Sequence, residues 1–133
     1  LEIRCHSIEH RINADDPERN FAPCPGKLTS FQLPGGAGVR IDTHLYAGYT
    51  VPSYYDSLLA KLIVFAPDRM SASRSGLRAL SELELGGIKT TVDFHKKIIS
   101  HPDFQKGVFD THLVEKIQAH EEARATHSLP AAR

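Results

Sequence analysis

Arg11 is the residue of this sequence whose type and position best suit chemistry. It lies in residues 8–12, where charged residues are interspersed with the apolar Ile8 and Ile12 ahead of a break at Asp15-Asp16-Pro17. This pattern predicts a strand that presents Arg11 on one face, just before a turn. A guanidinium held there is a permanently charged planar fork, which suits an oxyanion. The residues alone also allow a surface arginine paired with Glu9 or Asp15.

A glycine-rich stretch, Pro34-Gly35-Gly36-Ala37-Gly38-Val39-Arg40, has the composition of a phosphate-binding loop but not its pattern. No Gly-Lys-Ser/Thr follows it, and no strand and helix flank it as a dinucleotide-binding turn requires. We therefore interpret it as a turn between two strands.

Two other stretches carry polar side chains of interest. In Tyr54-Tyr55-Asp56-Ser57, the Asp56 carboxylate could orient the guanidinium of Arg40 or Arg11, or it could cap a turn. Asp110-Thr111-His112 is typical of the capping segment before a helix. The eight histidines include no HExxH pair and no Cys/His cluster at zinc spacing, so we expect no protein metal site.

Composition and charge limit the classes of function. The 133 residues suit one domain, and 41% hydrophobic with 24% charged residues is typical of a soluble globular protein. The 16 Lys+Arg balance the 16 Asp+Glu, so no general attraction to nucleic acid or to an acidic membrane is expected. No apolar stretch approaches the length of a membrane span.

The N-terminus and the cysteines bear on context. Leu1-Glu2-Ile3-Arg4-Cys5 has no signal peptide and no initiator Met, so we interpret the chain as a fragment or a processed domain. Cys5 and Cys24 belong to no CxxC pair. We expect two reduced thiols in a cytoplasmic protein.

The elements that position these residues change in type along the chain. Strands are predicted at residues 7–14, 26–33, 38–41, 46–51 and 58–66, with turns rich in Pro and Gly between them. A helix is predicted to begin at Asp68, to carry an apolar stripe and to end at Gly86-Gly87. The predicted stripe consists of Met70, Leu77 and Leu80, with Ala72, Ala79 and Leu83 beside them.

Two further helices and a tail complete the prediction. One helix is expected after Thr91, which we predict as its cap, and His101-Pro102 breaks it. The last begins near Asp110, and from Arg124 the apolar periodicity is lost. We predict an α+β domain over residues 1–123, a small antiparallel sheet or barrel-like part followed by helices packed on it, and a flexible tail over 124–133.

These stretches, in this order and at these separations, resemble the C-terminal domain of biotin carboxylase. That enzyme is the ATP-dependent component of acetyl-CoA, propionyl-CoA and pyruvate carboxylases. The resemblance covers roughly residues 6–118. Besides the residues around Arg11 and the glycine-rich stretch, it rests on Pro25-Gly26-Lys27, residues 46–58, residues 60–64, and Gly87-Ile88-Lys89-Thr90-Thr91.

The resemblance implies a ligase that uses ATP, Mg²⁺ and bicarbonate to carboxylate biotin held on a separate carrier protein or domain. The chain would form one wall of that active site. ATP, Mg²⁺ and biotin would be bound mainly by parts of the parent outside these residues, so the isolated chain would be incomplete. Its implied partners are the parent's N-terminal and ATP-grasp domains, the biotin carboxyl carrier, and a second copy in a homodimer.

The resemblance also assigns roles to residues. Arg11 matches a catalytic arginine that faces bicarbonate and the biotin ureido ring and stabilises the enolate-like form of biotin. Arg40 matches the arginine of the homodimer interface, where Ala37 replaces a large aromatic residue and weakens the contact. Asp56 matches a supporting carboxylate between active site and interface. Thr111 and His112 stand at positions that border the nucleotide pocket, although Asp110 and Thr111 replace an Asn and an Ile of the family.

Two other interpretations of function stay open. The domain could act alone as an interaction or dimerisation module without chemistry. It could also belong to another biotin-dependent enzyme such as urea carboxylase, because the carboxyl acceptor is set by a different domain or polypeptide. Acyl-CoA carboxylase parents, which include the acetyl-CoA carboxylase of fatty acid biosynthesis, and pyruvate carboxylase parents both remain open.

Overall fold

The computed structural model describes residues 2, 4–53 and 56–127, with side chains as far as residue 120. Strands come first and helices after, apart from one late strand. The strands are β1 (His6–Asn13), β2 (Asp15–Asp16), β3 (Ala22–Pro23), β4 (Gly26–Lys27), β5 (Ser30–Gln32), β6 (Val39–Thr43), β7 (Thr50–Val51), β8 (Leu58–Ala66) and β9 (Glu84–Gly86). The helices are α1 (Arg69–Glu82), α2 (Val92–Ser100), α3 (Pro102–Lys106) and α4 (Leu113–His127), with a 3-10 turn at Pro17–Arg19.

A three-stranded antiparallel sheet in the order β1-β8-β6 organises the fold. The alternation predicted around Arg11 is confirmed, because Ile8, His10 and Ile12 are buried while Glu9 and Arg11 are exposed. This buried face of β1 joins the apolar residues of β8 and α1 in the main core. The opposite face of the sheet is left open.

The remaining strands form two-stranded pairs, β2-β3, β4-β7 and β5-β9, and the described strands do not close into a barrel. The single strand predicted at 26–33 is therefore two strands with different partners. Between them, Leu28 N donates to Tyr49 O at 2.9 Å and Thr29 N donates to Gly86 O at 2.9 Å. Such a change of partner depends on distant residues, which local patterns do not report.

The strand predicted at 46–51 is also shorter than expected. Only Thr50–Val51 pairs, because Tyr49 N donates to Tyr46 O at 3.0 Å and closes a turn ahead of it. The glycine-rich stretch is a turn leading into β6, as predicted. A Cβ on Gly38 (φ +74°) would lie 2.5 Å from Phe65 O, so a residue with a side chain would be strained there.

Helix α1 begins where the sequence predicts and ends earlier. Asp68 accepts a hydrogen bond from Ser71 N at 2.8 Å, which confirms the cap. The helix ends at Glu82 rather than at the Gly86-Gly87 pair, because Glu84–Gly86 pairs with β5. Strand β9 was not predicted.

The predicted apolar stripe of α1 is partly wrong. Met70 is 49% exposed and Leu77 is 37% exposed, whereas the buried face carries small residues. A Cβ on Gly76 would come within 2.6 Å of Ile99 Cδ1, so α1 approaches α2 too closely for large side chains. The buried residues of α1 are Ala72, Ser73, Gly76, Ala79 and Leu80.

The later helices follow the predicted breaks. Pro102 ends α2 and begins α3, where His101 Nδ1 accepts from Asp103 N at 3.2 Å. Thr91 precedes α2 as predicted but makes no side-chain cap. Helix α4 runs on past Arg124, and residues 128–133 lie outside the described part, so the proposed division at residue 123 stays a prediction. No helix within the described residues is long and apolar enough to cross a membrane.

Candidate functional site

The open face of the central sheet gathers charged residues from three strands. Across the strands, Arg11 pairs with Lys61 and Lys61 with Asp42, while Glu9 pairs with Ile63 and Ile63 with Arg40. Because alternate side chains of a strand share a face, all of these side chains lie opposite the core. We call this set the outer face: Glu9, Arg11, Arg40, Asp42, Lys61 and Ile63.

The two arginines of the outer face differ in how they are engaged. Arg40 donates two hydrogen bonds of 2.9 Å to the Asp42 carboxylate, which raise the pKa of Arg40. The Arg11 guanidinium instead lies 3.9 Å from Glu9 Oε1, beyond hydrogen-bond length, and its side chain is 58% exposed. That guanidinium makes no hydrogen bond among those found within the described residues, so Arg11 has more N–H donors available to an anion than Arg40 has.

A depression adjoins the outer face beside Lys61. Its volume is about 260 Å³, and Asp42 and Lys61 form part of its wall. Lys61 is half-buried and lies between Arg11 and Asp42 across the strands. The outer face therefore offers a second cation next to Arg11.

A polar network holds the end of β1 that carries Arg11. Ser57 Oγ accepts from Asn13 Nδ2 at 3.2 Å and donates to Asp15 Oδ2 at 3.0 Å. Ala14 N also donates to Ser57 O at 2.8 Å. The polar residues after Arg11 and the stretch ending in Ser57 are thus one structural unit. Tyr54 and Tyr55 lie outside the described residues.

Asp56 takes the simpler of its two predicted roles. Its Oδ1 accepts from Leu58 N at 3.0 Å, at the start of β8, and its side chain is exposed. The carboxylate that holds Arg40 is Asp42, a neighbour two residues along the same strand face. Among the contacts of the described residues, none joins Asp56 to Arg11 or Arg40.

Helix α2 supports β1 along its free edge, which the sequence did not predict. His95 Nε2 lies 2.8 Å from Arg11 O. Thr91 Oγ1 accepts from Asn13 N at 3.0 Å, and Thr91 N donates to Asn13 O at 3.1 Å. The sequence indicated Thr91 only as the cap of α2 and as the end of one stretch on which the family resemblance rests, and neither indicated a contact with β1.

Two histidines meet behind Arg11. The rings of His10 and His95 pack edge to face with centroids 5.3 Å apart. Burial, and next the neighbouring His95, lowers the pKa of His10 from 6.5 to about 4. Burial also lowers the pKa of His95. Both rings are therefore neutral at pH 7, and Nε2–H of His95 donates to the Arg11 carbonyl.

Thr111 and His112 lie apart from these contacts. Both are exposed in the segment before α4, where Asp110 Oδ1 accepts from His112 N at 3.0 Å. This hydrogen bond is the main cause of a lowered pKa at Asp110. Within the described residues, no contact joins the segment to the outer face, and no group of three or more His, Cys, Asp or Glu side chains could hold a metal ion.

Comparison with known proteins identifies the family. The model of the biotin carboxylase C-terminal domain matches residues 9–116. The biotin carboxylase of Nostoc sp. is 47% identical over 115 residues, 86% of this chain and 26% of that protein. A pyruvate carboxylase subunit of Methanothermobacter thermautotrophicus is 47% identical over 116 residues, 87% of this chain and 24% of that protein.

Solved structures agree with the sequence matches. One is the biotin carboxylase domain dimer of Hydrogenobacter thermophilus 2-oxoglutarate carboxylase, in complex with MgADP, ADP and bicarbonate. It matches with a TM-score of 0.81 and 43% identity over 83% of this chain and 24% of that chain. The chain spans about a quarter of the length of the relatives it matches. Both the sequence and the fold therefore show that the chain belongs to the family of biotin carboxylase C-terminal domains.

Proposed function

We propose that this chain forms one wall of the active site of an ATP-dependent biotin carboxylase, as part of a longer parent. The observation that carries the proposal is Arg11, an exposed guanidinium on a braced strand whose carboxylate neighbour is 3.9 Å away. Such a group suits an anion or developing negative charge. The bicarbonate in the Hydrogenobacter relative supports an anionic substrate for this family.

ATP and bicarbonate would supply the activated carboxyl group that biotin receives in the parent. Most of the binding groups for ATP, Mg²⁺ and biotin would come from its other domains. Arg11 would place a fixed positive charge where the ureido oxygen becomes negative, so its contribution would be electrostatic. Lys61, its half-buried neighbour, would raise the positive potential at the same place.

The replacement Arg11→Ala in the full-length parent tests this proposal. We expect ATP binding to persist and ATP-dependent biotin carboxylation to fall at least about 100-fold, since one such electrostatic contact is worth ~3 kcal/mol. Arg74→Ala is the matched control, because Arg74 is an exposed arginine on α1, away from the outer face. Normal carboxylation by the Arg11 variant would refute the proposal.

Three supporting roles complete the proposal. Asp56 would stabilise the start of β8 between the active site and the homodimer surface. Thr111 and His112, exposed before α4, would border the nucleotide pocket formed with the ATP-grasp domain. Arg40, already held by Asp42, would present a rigid charge to a second copy. The dimer of the Hydrogenobacter relative supports that assembly.

We place the parent in the cytoplasm, a compartment in which an exposed thiol such as Cys5 stays reduced. The biotin would arrive on a carrier protein or domain. The carboxyl acceptor would be chosen by another domain, so acyl-CoA carboxylase parents, with a role in fatty acid biosynthesis, and pyruvate carboxylase parents both fit. The pyruvate carboxylase subunit among the relatives supports the second, and the relative named biotin carboxylase fits either.

A further inference from the structure

The N-terminal half of α2 takes the place of a neighbouring strand along the free edge of β1. Strand β1 lies at the end of its sheet and pairs with β8 on one side only. On its other side, three backbone groups of Arg11 and Asn13 are bonded by His95 and Thr91 instead. An edge strand without such partners would leave these groups to water and would move more freely.

His95 contacts β1 at two successive residues. Its Nε2 bonds the carbonyl of Arg11, and its ring packs against the ring of His10 on the buried face. These contacts hold the strand at the point where the Arg11 side chain leaves it. They fix the backbone from which the guanidinium extends, without touching the guanidinium.

We propose that His95 is a positioning residue for Arg11. This inference rests on the proposed function of Arg11. Its hydrogen bond to the Arg11 carbonyl sets the direction of the guanidinium over the outer face. An error of about 1 Å in such a placement costs up to about 100-fold in rate.

The hydrogen bond from His95 to the Arg11 carbonyl can be removed without loss of the side chains that pack α2 in place. That helix is held by the buried side chains of Val92, Phe94 and Ile99, and its first turn is held by Thr91. His95 itself is half-buried. Removal of the Nε2–H donor should therefore change the backbone at Arg11 while α2 stays in place.

The test uses the full-length parent with two matched replacements. His95→Phe keeps an aromatic ring against His10 but has no donor, whereas His95→Gln offers an amide N–H near the position of Nε2. We expect H95F to lower kcat for biotin carboxylation about 10-fold with KM for ATP unchanged, and H95Q to restore most of the rate. If H95F does not fold, His95→Leu replaces it in the same comparison.

A second arm asks whether His95 acts through Arg11. In an Arg11→Ala background, H95F should cause no further loss, because the group that it positions is absent. The proposal would be overturned if H95F and the unmodified parent had equal rates, or if H95F and H95Q lost the same activity. A further loss in the double variant would also overturn it. Normal carboxylation by R11A alone would overturn the proposed function and this inference together, which distinguishes the two failures.

Discussion

At the scale of residues, two arginines of the outer face look alike in the sequence but differ in their hydrogen bonds. The position of Arg11 on a strand face follows from the strand predicted around it, and the structure confirms it. The difference in availability does not follow, because the hydrogen bonds of Arg40 to Asp42 depend on side-chain geometry. The contacts of His95 and Thr91 were unpredictable for another reason: they join residues far apart in sequence.

The buried His10 makes stability depend on pH. Its pKa of about 4 in the folded state lies below the unfolded value of 6.5, so the unfolded chain takes up the proton first. The stability is fully present above about pH 6.5 and is lost as the pH falls towards 4. We expect protonation of His10 to lower the free energy of unfolding by about 3 kcal/mol over that pH range. The lowered pKa of His95 acts in the same direction.

Urea denaturation of the chain between pH 7 and pH 4 measures this effect. In His10→Leu the unfolding free energy should fall less over the same range, because no imidazole at this position takes up a proton. The carboxylates titrate in both proteins and cancel in the comparison. Parallel pH profiles for the two proteins would contradict the assignment.

At the scale of elements, the sequence located the long strands and the starts and breaks marked by Asp68 and Pro102, but not the buried face of α1 or the bounds of the short strands. Strands β1 and β8, the Asp68 cap and the break at Pro102 agree with the sequence. The face of α1 does not, because periodicity favours the largest apolar residues whereas close packing against α2 requires the smallest. The short strands β2, β3 and β9 also escaped prediction, because so few residues carry no clear pattern of their own.

Gly76 tests the close approach of α1. Gly76→Ala should destabilise the chain by about 1–3 kcal/mol, because the new Cβ would lie 2.6 Å from Ile99 Cδ1 and 3.0 Å from His10 Nε2. Alanine otherwise favours a helix by about 1 kcal/mol over glycine, so helix propensity alone predicts the opposite sign. Ser81→Ala, at an exposed position of the same helix, is the control for urea denaturation. A stabilised G76A protein would show that the helices can separate at little cost.

At the scale of the whole molecule, the chain is about a quarter of the proteins that it resembles. The charged residues Glu9, Arg11, Arg40 and Asp42 of its outer face are exposed here, as are Thr111 and His112, and in the parent we expect other domains to face them. A sequence of this length carries the positions of such residues but not the groups that complete their sites. The family resemblance, and not the periodicity of the chain, was the basis for predicting that other domains complete these sites.

Ala37 lies exposed in the turn that leads to Arg40. If this turn forms the homodimer contact, Ala37→Phe should strengthen self-association of the full-length parent, because a buried aromatic anchor contributes strongly to an interface. Sedimentation velocity over a range of concentrations measures the shift, with Ala47→Phe in the separate exposed turn before β7 as the control. Equal self-association of the two variants would show that this turn is not part of the homodimer interface.

The rate of ATP-dependent biotin carboxylation by the full-length parent with Arg11→Ala is the most direct test of the account. ATP binding is measured on the same sample, and Arg11→Lys is added because it keeps the charge but loses the planar fork. We expect normal ATP binding, a loss of carboxylation of at least about 100-fold in R11A, and partial activity in R11K. Carboxylation at the unmodified rate in R11A would contradict this account.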